Sequence, residues 1–285
     1  MAARPGLIRL AVFGMPVAQS LSPAIHRQFA QQCGLEIDYQ AIETTPAEFV
    51  SKLRELMLAG GRGCNITVPL KHRAWQFAQR ASASATRAQA ANTLVFEGPQ
   101  DCFADNTDGY GLIRDLARCL SVPLSNKRIM IIGAGGAAAG ILGDLLQLSP
   151  AEIVLGNRSL ERARALTLRF ASMGRLSSCT LDQLDAQGSF DLVINATSLG
   201  HLGCYPTLSA ALFTPRGLCY DLNYGPAAKP LREHCESRGI GYQEGLGMLV
   251  EQAAASFSLW TGCQPDSSAV LQRLRRDLPP AQGVN

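Results

Sequence analysis

The chain has 285 residues, of which 47% are hydrophobic and 17% charged. That composition excludes disorder and leaves room for one large or two ordinary domains. A net charge of +3 without a basic run excludes nucleic acid as an expected partner and suits small anionic ligands.

Short β-rich runs at residues 8–13, 38–42 and 64–68 are separated by helical patterns at 23–32 and 46–59. Two shorter runs, 93–96 and 102–104, flank Gly98-Pro99 as a hairpin. A second series begins near Lys127 with an apolar strand at 128–132 that runs into a glycine turn. Strands at 153–155, 192–195 and 218–221 follow, with helices over 137–148 and 160–172 between them. These continuous apolar runs suit a parallel sheet covered on both faces, so the fold class is α/β. Residues 248–260 read as a strongly amphipathic helix and 267–276 as a last helix, before Pro279-Pro280 end ordered structure. The domain boundary is expected near 106–108. The final helices are free to return to the first domain, because the second series is complete without them.

The longest apolar stretch, 129–142, is interrupted by four glycines and is too short to span a bilayer. Arg4 and Arg9 flank only a very short apolar run, not a secretory core. The expectation is a cytoplasmic protein with no membrane contact. Nine cysteines (33, 64, 102, 119, 179, 204, 219, 235 and 263) are scattered, with no C-x-x-C. They are expected as reduced, packed thiols, with no metal site.

Gly133-Ala134-Gly135-Gly136-Ala137-Ala138 follows a predicted strand and opens a predicted helix, matching G-x-G-x-x-A. The first glycine permits the tight turn, the second lets backbone approach a pyrophosphate, and the small last residue lets helix and strand pack closely. Helix N-terminal N–H groups then face the phosphates. The next strand ends in Gly156-Asn157-Arg158-Ser159, with Arg162 one turn later. No carboxylate stands there to take a ribose 2′-hydroxyl, whereas Arg158 and Arg162 suit a 2′-phosphate. The expected cofactor is therefore NADP(H), with Ser159 capping the helix. A plain glycine turn and a solvated helix start are the bland alternatives.

Ketone reduction by a nicotinamide cofactor needs a proton donor and groups that orient the substrate. Ser20 and Ser22, at a helix start, make a carboxylate cradle; the alternative is ordinary capping by Ser22 ahead of Pro23. Asn65 and Thr67 are expected to alternate on one face of a strand, with Lys71 just past its end. Lys71 suits proton donation to a forming alkoxide. Asn92 adds a carboxamide. Asp108, in Asn106-Thr107-Asp108-Gly109, can orient Lys71 and take a substrate hydroxyl, or simply belong to a capped turn.

Taken together the chain resembles shikimate dehydrogenases. The matching motifs are Ser20-Leu21-Ser22-Pro23, Asn65-Ile66-Thr67-Val68-Pro69-Leu70-Lys71, Ala91-Asn92-Thr93 and Asn106-Thr107-Asp108-Gly109 in the first half. The glycine loop, Asn157-Arg158-Ser159, Asn195-Ala196-Thr197-Ser198, Tyr220-Asp221-Leu222 and Gly245-Leu246-Gly247-Met248-Leu249-Val250-Glu251-Gln252-Ala253 follow in family order. The resemblance implies NADPH-dependent reduction of 3-dehydroshikimate to shikimate in aromatic amino-acid biosynthesis. It implies an N-terminal substrate domain (1–106), rejoined by helices of 247–285, and a Rossmann-like NADP domain (107–246), with a cleft between them. It implies Ser20, Ser22 and Tyr224 at the substrate carboxylate, and Asn65, Thr67, Asn92 and Gln252 at the ring hydroxyls. Lys71 and Asp108 form the catalytic pair, and Thr197, Leu222, Gly245 and Met248 surround the nicotinamide end. Gln252 shares a helical face with Met248, four residues away. The only expected partner is the small-molecule substrate, with the protein a monomer or homodimer.

Three departures stand out. His72 follows Lys71 where the family usually has an acidic residue, Gln89-Ala90-Ala91-Asn92 replaces a common Gly-Ala-Val-Asn, and residues 201–206 form an unusual loop. They leave room for a paralogue acting on quinate or an amino-substituted analogue. A non-catalytic NADP-binding regulator would have no need of both Lys71 and Asp108. The serine pair disfavours a methylenetetrahydrofolate dehydrogenase.

Overall fold

The computed structural model describes residues 6–98, 100–120 and 123–277. Pro99, at the expected hairpin tip, and Pro279-Pro280 lie outside the described residues. The chain divides into two compact units, Met1–Thr107 with Val250–Asn285, and Asp108–Leu249.

The first unit runs β1 (Ile8–Gly14), α1 (Ser22–Cys33), β2 (Ile37–Glu43), α2 (Phe49–Leu58), β3 (Gly61–Ile66), α3 (Lys71–Phe77), β4 (Arg80–Ala81), α4 (Ala83–Ala88), β5 (Thr93–Gly98) and β6 (Asp101–Asp105). The second runs α5 (Asp108–Cys119), β7 (Arg128–Ile132), α6 (Gly136–Gln147), β8 (Glu152–Gly156), α7 (Leu160–Phe170), β9 (Leu176–Cys179), β10 (Phe190–Asn195), β11 (Phe213–Asp221), α8 (Lys229–Glu236) and β12 (Gly241–Glu244). Helix α9 (Leu246–Thr261) carries the chain back, and α10 (Ser267–Asp277) follows.

The first sheet has the order β2-β1-β3-β5-β6-β4. β1 pairs in parallel with β2 and β3, and the β5–β6 hairpin adds antiparallel strands. Alternation along β1 builds a core on each face. Ala11 and Phe13 join Phe49, Leu53 and Met57 of α2, while Leu10 and Val12 join Val17, Tyr39 and Trp260.

The second sheet is parallel throughout, in the order β12-β11-β10-β7-β8-β9. Strand order reverses between β7 and β10, and in such sheets ligands bind outside the carboxyl ends at that reversal. Ile129–Ile132 and Leu192–Ile194 are fully buried because helices cover both faces, which explains their unbroken apolar sequence.

The structure corrects several expectations. β3 stops at Ile66, so Thr67 stands beyond the strand, not on it. Its N–H still reaches Phe13 O (2.9 Å), but Pro69 has no N–H with which to extend the ladder. Helix α9 is buried on nearly every side, not amphipathic, because Glu251, Gln252 and Ser256 are inside and hydrogen-bonded. The nine thiols are not all reduced: Cys33 at the end of α1 is disulfide-bonded to Cys263 after α9, and the other seven are free. A sequence separation of 230 hides that pair from any search for clusters. Strands β4, β9 and β12, each four residues or fewer at a sheet edge, and helices α3, α4, α5 and α8 were not expected. Among the described residues no helix is long and apolar enough to cross a membrane, and no group of His, Cys, Asp and Glu could hold a metal ion.

Candidate functional site

In the first unit, the polar residues singled out from sequence converge on the ends of β1, β3 and β5. Helix α1 starts at Ser22, with Leu21 as its N-cap. Ser20 Oγ accepts the Ser22 N–H (3.2 Å), so Ser20, not Ser22, satisfies an open donor of the first turn. Ser22 is buried.

Behind the serines lies a buried hydrogen-bond network. Asn65 Oδ1 accepts from Tyr39 Oη (2.7 Å) and pairs with His26 Nε2 (3.1 Å). Asn65 Nδ2 donates to Ser256 Oγ (3.0 Å), Asn92 O (3.2 Å) and Thr93 Oγ1 (3.3 Å). Asn92 Nδ2 donates to Thr107 Oγ1 (2.9 Å) and Gln252 Oε1 (3.1 Å), and its Oδ1 accepts from Thr107 N (2.9 Å) and Thr93 Oγ1 (2.9 Å). Thr93 and Ser256 share a 2.6 Å bond. Asn65, Asn92 and Gln252 are each under one-tenth exposed. Such a network fixes side chains far more tightly than isolated pairs do.

Burial pushes His26 down to about 3, against the opposing hydrogen bond from Asn65, and raises Tyr39 well above the usual phenol range. Both are therefore neutral at working pH.

Lys71 is half-buried as the first residue of α3. Its carbonyl accepts the Ala91 N–H (2.9 Å), and His72 Nδ1 pairs with Gln89 O (2.8 Å). The lysine segment is thus tied to the loop that presents Asn92. Thr67 is half-exposed at the mouth of β3.

In the second unit, Asp108 is the buried first residue of α5. That helix is pinned to β11 by Tyr220 Oη donating to Asp115 Oδ2 (2.7 Å). The glycine loop leaves β7 as expected. Gly133 has φ +113°, and a Cβ there would lie 3.0 Å from Ala196 O, so only glycine fits. Gly135 is the N-cap of α6 and would meet nothing within 4 Å of an added Cβ. Gly136 opens the helix, with Ala137 behind it, and Ala138 is fully buried between helix and sheet. That leaves open space against helix N–H groups, which suits a pyrophosphate.

At the end of β8, Asn157, Arg158, Ser159, Glu161 and Arg162 line a cavity of about 390 Å³. Asn157 Nδ2 donates to Ser159 O (2.9 Å), and Ser159 Oγ caps α7 by accepting from Arg162 N (3.4 Å). Among the described residues neither arginine is in an ion pair, so both guanidinium groups remain for an anion. These residues fit a 2′-phosphorylated dinucleotide.

The ends of β10 and β11 are joined by Asp221. Its Oδ1 accepts from Asn195 Nδ2 (2.9 Å), Asn223 N (3.0 Å) and Asn223 Nδ2 (2.8 Å); its Oδ2 accepts from Tyr242 Oη (3.3 Å). Burial lifts its pKa to about 6, against the pull of those bonds. Asn195 Oδ1 accepts from Thr197 Oγ1 (2.7 Å) and N (3.1 Å), and Asn223 Nδ2 donates to Thr197 O (3.1 Å). Thr197, Leu222 and Tyr224 are thereby set beside one strand end. Gly245 N donates to Asn223 O (2.9 Å), and a Cβ on it would lie 2.6 Å from Leu222 O. Met248 follows in the first turn of α9, nearly buried.

Sequence reasoning gave no role to His26, Tyr39, Thr93, Thr107 or Ser256, nor to Asn195, Asp221 and Asn223. Thr93, Thr107, Asn195 and Asp221 stood in the matching motifs, whereas His26, Tyr39 and Ser256 were marked only by polarity among apolar neighbours.

Three family profiles match the chain: the shikimate dehydrogenase substrate binding domain over residues 12–94, shikimate / quinate 5-dehydrogenase over 115–202, and the shikimate 5'-dehydrogenase C-terminal domain over 245–275. The NADP(+) shikimate dehydrogenase of Alkalilimnicola ehrlichii is 44% identical over 94% of this chain and 98% of its own length. That of Aromatoleum aromaticum is also 44% identical, over 95% and 98%. Among solved structures, the shikimate 5-dehydrogenase of Thermus thermophilus in complex with NADP(H) and shikimate superposes with a TM-score of 0.82 at 34% identity, covering 94% of this chain and 99% of that one. An Ael1 enzyme from Pseudomonas putida gives a TM-score of 0.83 at 39% identity, over 94% and 98%.

Proposed function

The chain belongs to the shikimate dehydrogenase family, and from this premise we propose that it interconverts 3-dehydroshikimate and shikimate with NADP(H), in aromatic amino-acid biosynthesis. The observation that carries the cofactor choice is the cavity at the end of β8, where Arg158 and Arg162 stand and the strand itself ends in Gly156-Asn157 without a carboxylate. Two guanidinium groups match a 2′-phosphate in charge and geometry.

Ser20, Ser22 and Tyr224 take the substrate carboxylate. Asn65, Thr67, Asn92 and Gln252 take the ring hydroxyls. When bound, NADPH supplies the hydride that adds to the ring ketone carbon. The Lys71 ammonium donates its proton to the oxygen that becomes the hydroxyl, and in the reverse direction the neutral amine takes that proton back. Asp108 accepts a hydrogen bond from the neighbouring ring hydroxyl. Gly133–Ala138 holds the pyrophosphate, and Thr197, Leu222, Gly245 and Met248 orient the nicotinamide. We place the enzyme in the cytoplasm as a monomer or homodimer.

The test follows nicotinamide absorbance with purified protein and shikimate, quinate or aminoshikimate, each with NADP⁺ and NAD⁺. Fast turnover of shikimate with NADP⁺ alone is expected. Preference for quinate, for the amino analogue or for NAD⁺ would refute the assignment.

A further inference from the structure

The network behind Ser22 contains two residues that no substrate-binding role accounts for. Asn65 is its hub, and the orientation of its carboxamide is determined by its surroundings. Asn92 O, 3.2 Å from Asn65 Nδ2, is an acceptor only. A flipped amide would set two carbonyl oxygens against each other. Oδ1 must therefore face Tyr39 and His26, and both must donate to it. His26 then carries its proton on Nε2 and leaves Nδ1 as a bare lone pair. Nδ1 is indeed buried without a hydrogen-bond partner.

The imidazole has no freedom to turn. It stacks on the Tyr39 ring (centroids 4.4 Å apart, planes 9° from parallel) and is packed by Phe29, Phe257 and Trp260. Tyr39 spends its own proton on Asn65 at 2.7 Å.

We propose that Tyr39 and His26 are positioning residues for the substrate contacts of the first unit, together locking the Asn65 carboxamide that supports Asn92 and, through it, Gln252. The inference rests on the functional reading above, because the residues it supports are the hydroxyl contacts assigned there. It differs from that reading in giving the relay no contact with substrate. It acts by holding donors where the ligand meets them, so its loss falls on substrate binding.

Tyr39→Phe removes one oxygen and keeps the ring stacked on His26. It is expected to raise the Michaelis constant and the calorimetric dissociation constant for shikimate roughly five- to thirtyfold, the scale of one buried hydrogen bond. The Michaelis constant for NADP⁺ and the turnover number should stay within about twofold of the parent, as expected when only uniform substrate binding is lost. His26→Phe should show the same split. Nitrogen-15 spectra of the parent should show His26 as the Nε2–H tautomer. A folded, active Tyr39→Phe protein with parental affinity for shikimate overturns the relay alone. So does a variant in which NADP⁺ and shikimate constants rise together with a fall in melting temperature, since that is general loosening of the fold. A parent protein that neither binds nor oxidises shikimate overturns the functional reading itself. If Tyr39→Phe destabilises the fold, the His26 tautomer in the parent decides: an Nδ1–H form refutes the proton directions on which the relay depends.

Discussion

Replacing Asp221 by Asn should stabilise the second unit, and the gain should depend on pH. Asp221 is a fully buried carboxylate with no cation among its four hydrogen-bond donors. Burial lifts its pKa from 3.8 to about 6, so the fold favours the protonated form. The unfolded chain releases the proton near 3.8, and the stability tied to this group is complete below that value. It falls as pH rises through about 6 and is flat above. At about 1.4 kcal/mol per pH unit, the gap amounts to about 3 kcal/mol at neutral pH. In the Asn variant, the side-chain oxygen keeps the bonds from Asn195 and Asn223. The new NH₂ donates to Tyr242 Oη, which retains its own proton for Ala228 O (3.2 Å). The cluster keeps its other bonds, so the variant escapes most of the usual penalty for breaking a polar cluster. Amide hydrogen exchange of β10 and β11 at pH 5 and pH 8 reads the effect within the second unit. The variant's advantage should be about 1.5 kcal/mol at pH 5, where the unfolded group is already ionised, and about 3 kcal/mol at pH 8. An equal advantage at both pH values, or a less stable variant at pH 8, would refute the argument that desolvation of the charge dominates.

Lys71→Ala should cut turnover by roughly two to four orders of magnitude with NADPH affinity by fluorescence titration unchanged; near-full turnover would remove the lysine from its role. Arg158→Ala should raise the Michaelis constant for NADP⁺ far more than that for NAD⁺, and parallel changes would refute a 2′-phosphate contact. Gly245→Ala forces a Cβ against Leu222 O and should lower both cofactor affinity and melting temperature, measured by titration and calorimetry. Thiol titration of denatured, unreduced protein should find seven thiols, and nine after reduction; nine without reduction would refute the Cys33–Cys263 bond.

The second unit was more legible in sequence than the first. A parallel strand buried on both faces must be apolar throughout, and β7, β8 and β10 announce themselves that way. Gly133 is visible because its positive φ and its closeness to Ala196 O admit one residue type only. The edge strands β9 and β12 bury less, carry mixed residues such as Leu176-Ser177-Ser178-Cys179, and leave no such trace. In the first unit, Asn65, Asn92 and Lys71 were recognisable in their motifs, but their partners were not. His26 and Ser256 sit on α1 and α9, far apart in sequence, and each reads locally as an ordinary helix position. The pairing of Cys33 with Cys263 is equally invisible, since it follows from where α1 and α9 end and not from any local pattern.

The candidate residues of the two units are held in different ways, and this predicts where each set tolerates change. In the second unit backbone does the holding: a glycine turn, a helix N-terminus, and loops tied by Asn195, Asp221 and Asn223 to main-chain and strand-end groups. Positions such as Ala134 and Ala137 then contribute little beyond being small. In the first unit side chains hold one another, from Tyr39 and His26 through Asn65 and Asn92 to Gln252. Each member is both supported and supporting. A single substitution there strands a buried partner, and the cost passes along the network instead of staying local. A cofactor common to many enzymes needs only its phosphates and charge recognised, which backbone supplies generically. A small polyol must be told from close analogues by hydroxyl position. Rejecting the wrong analogue depends on polar groups that stay buried and unpaired when the right hydroxyl is absent, and only a rigid side-chain network can enforce that.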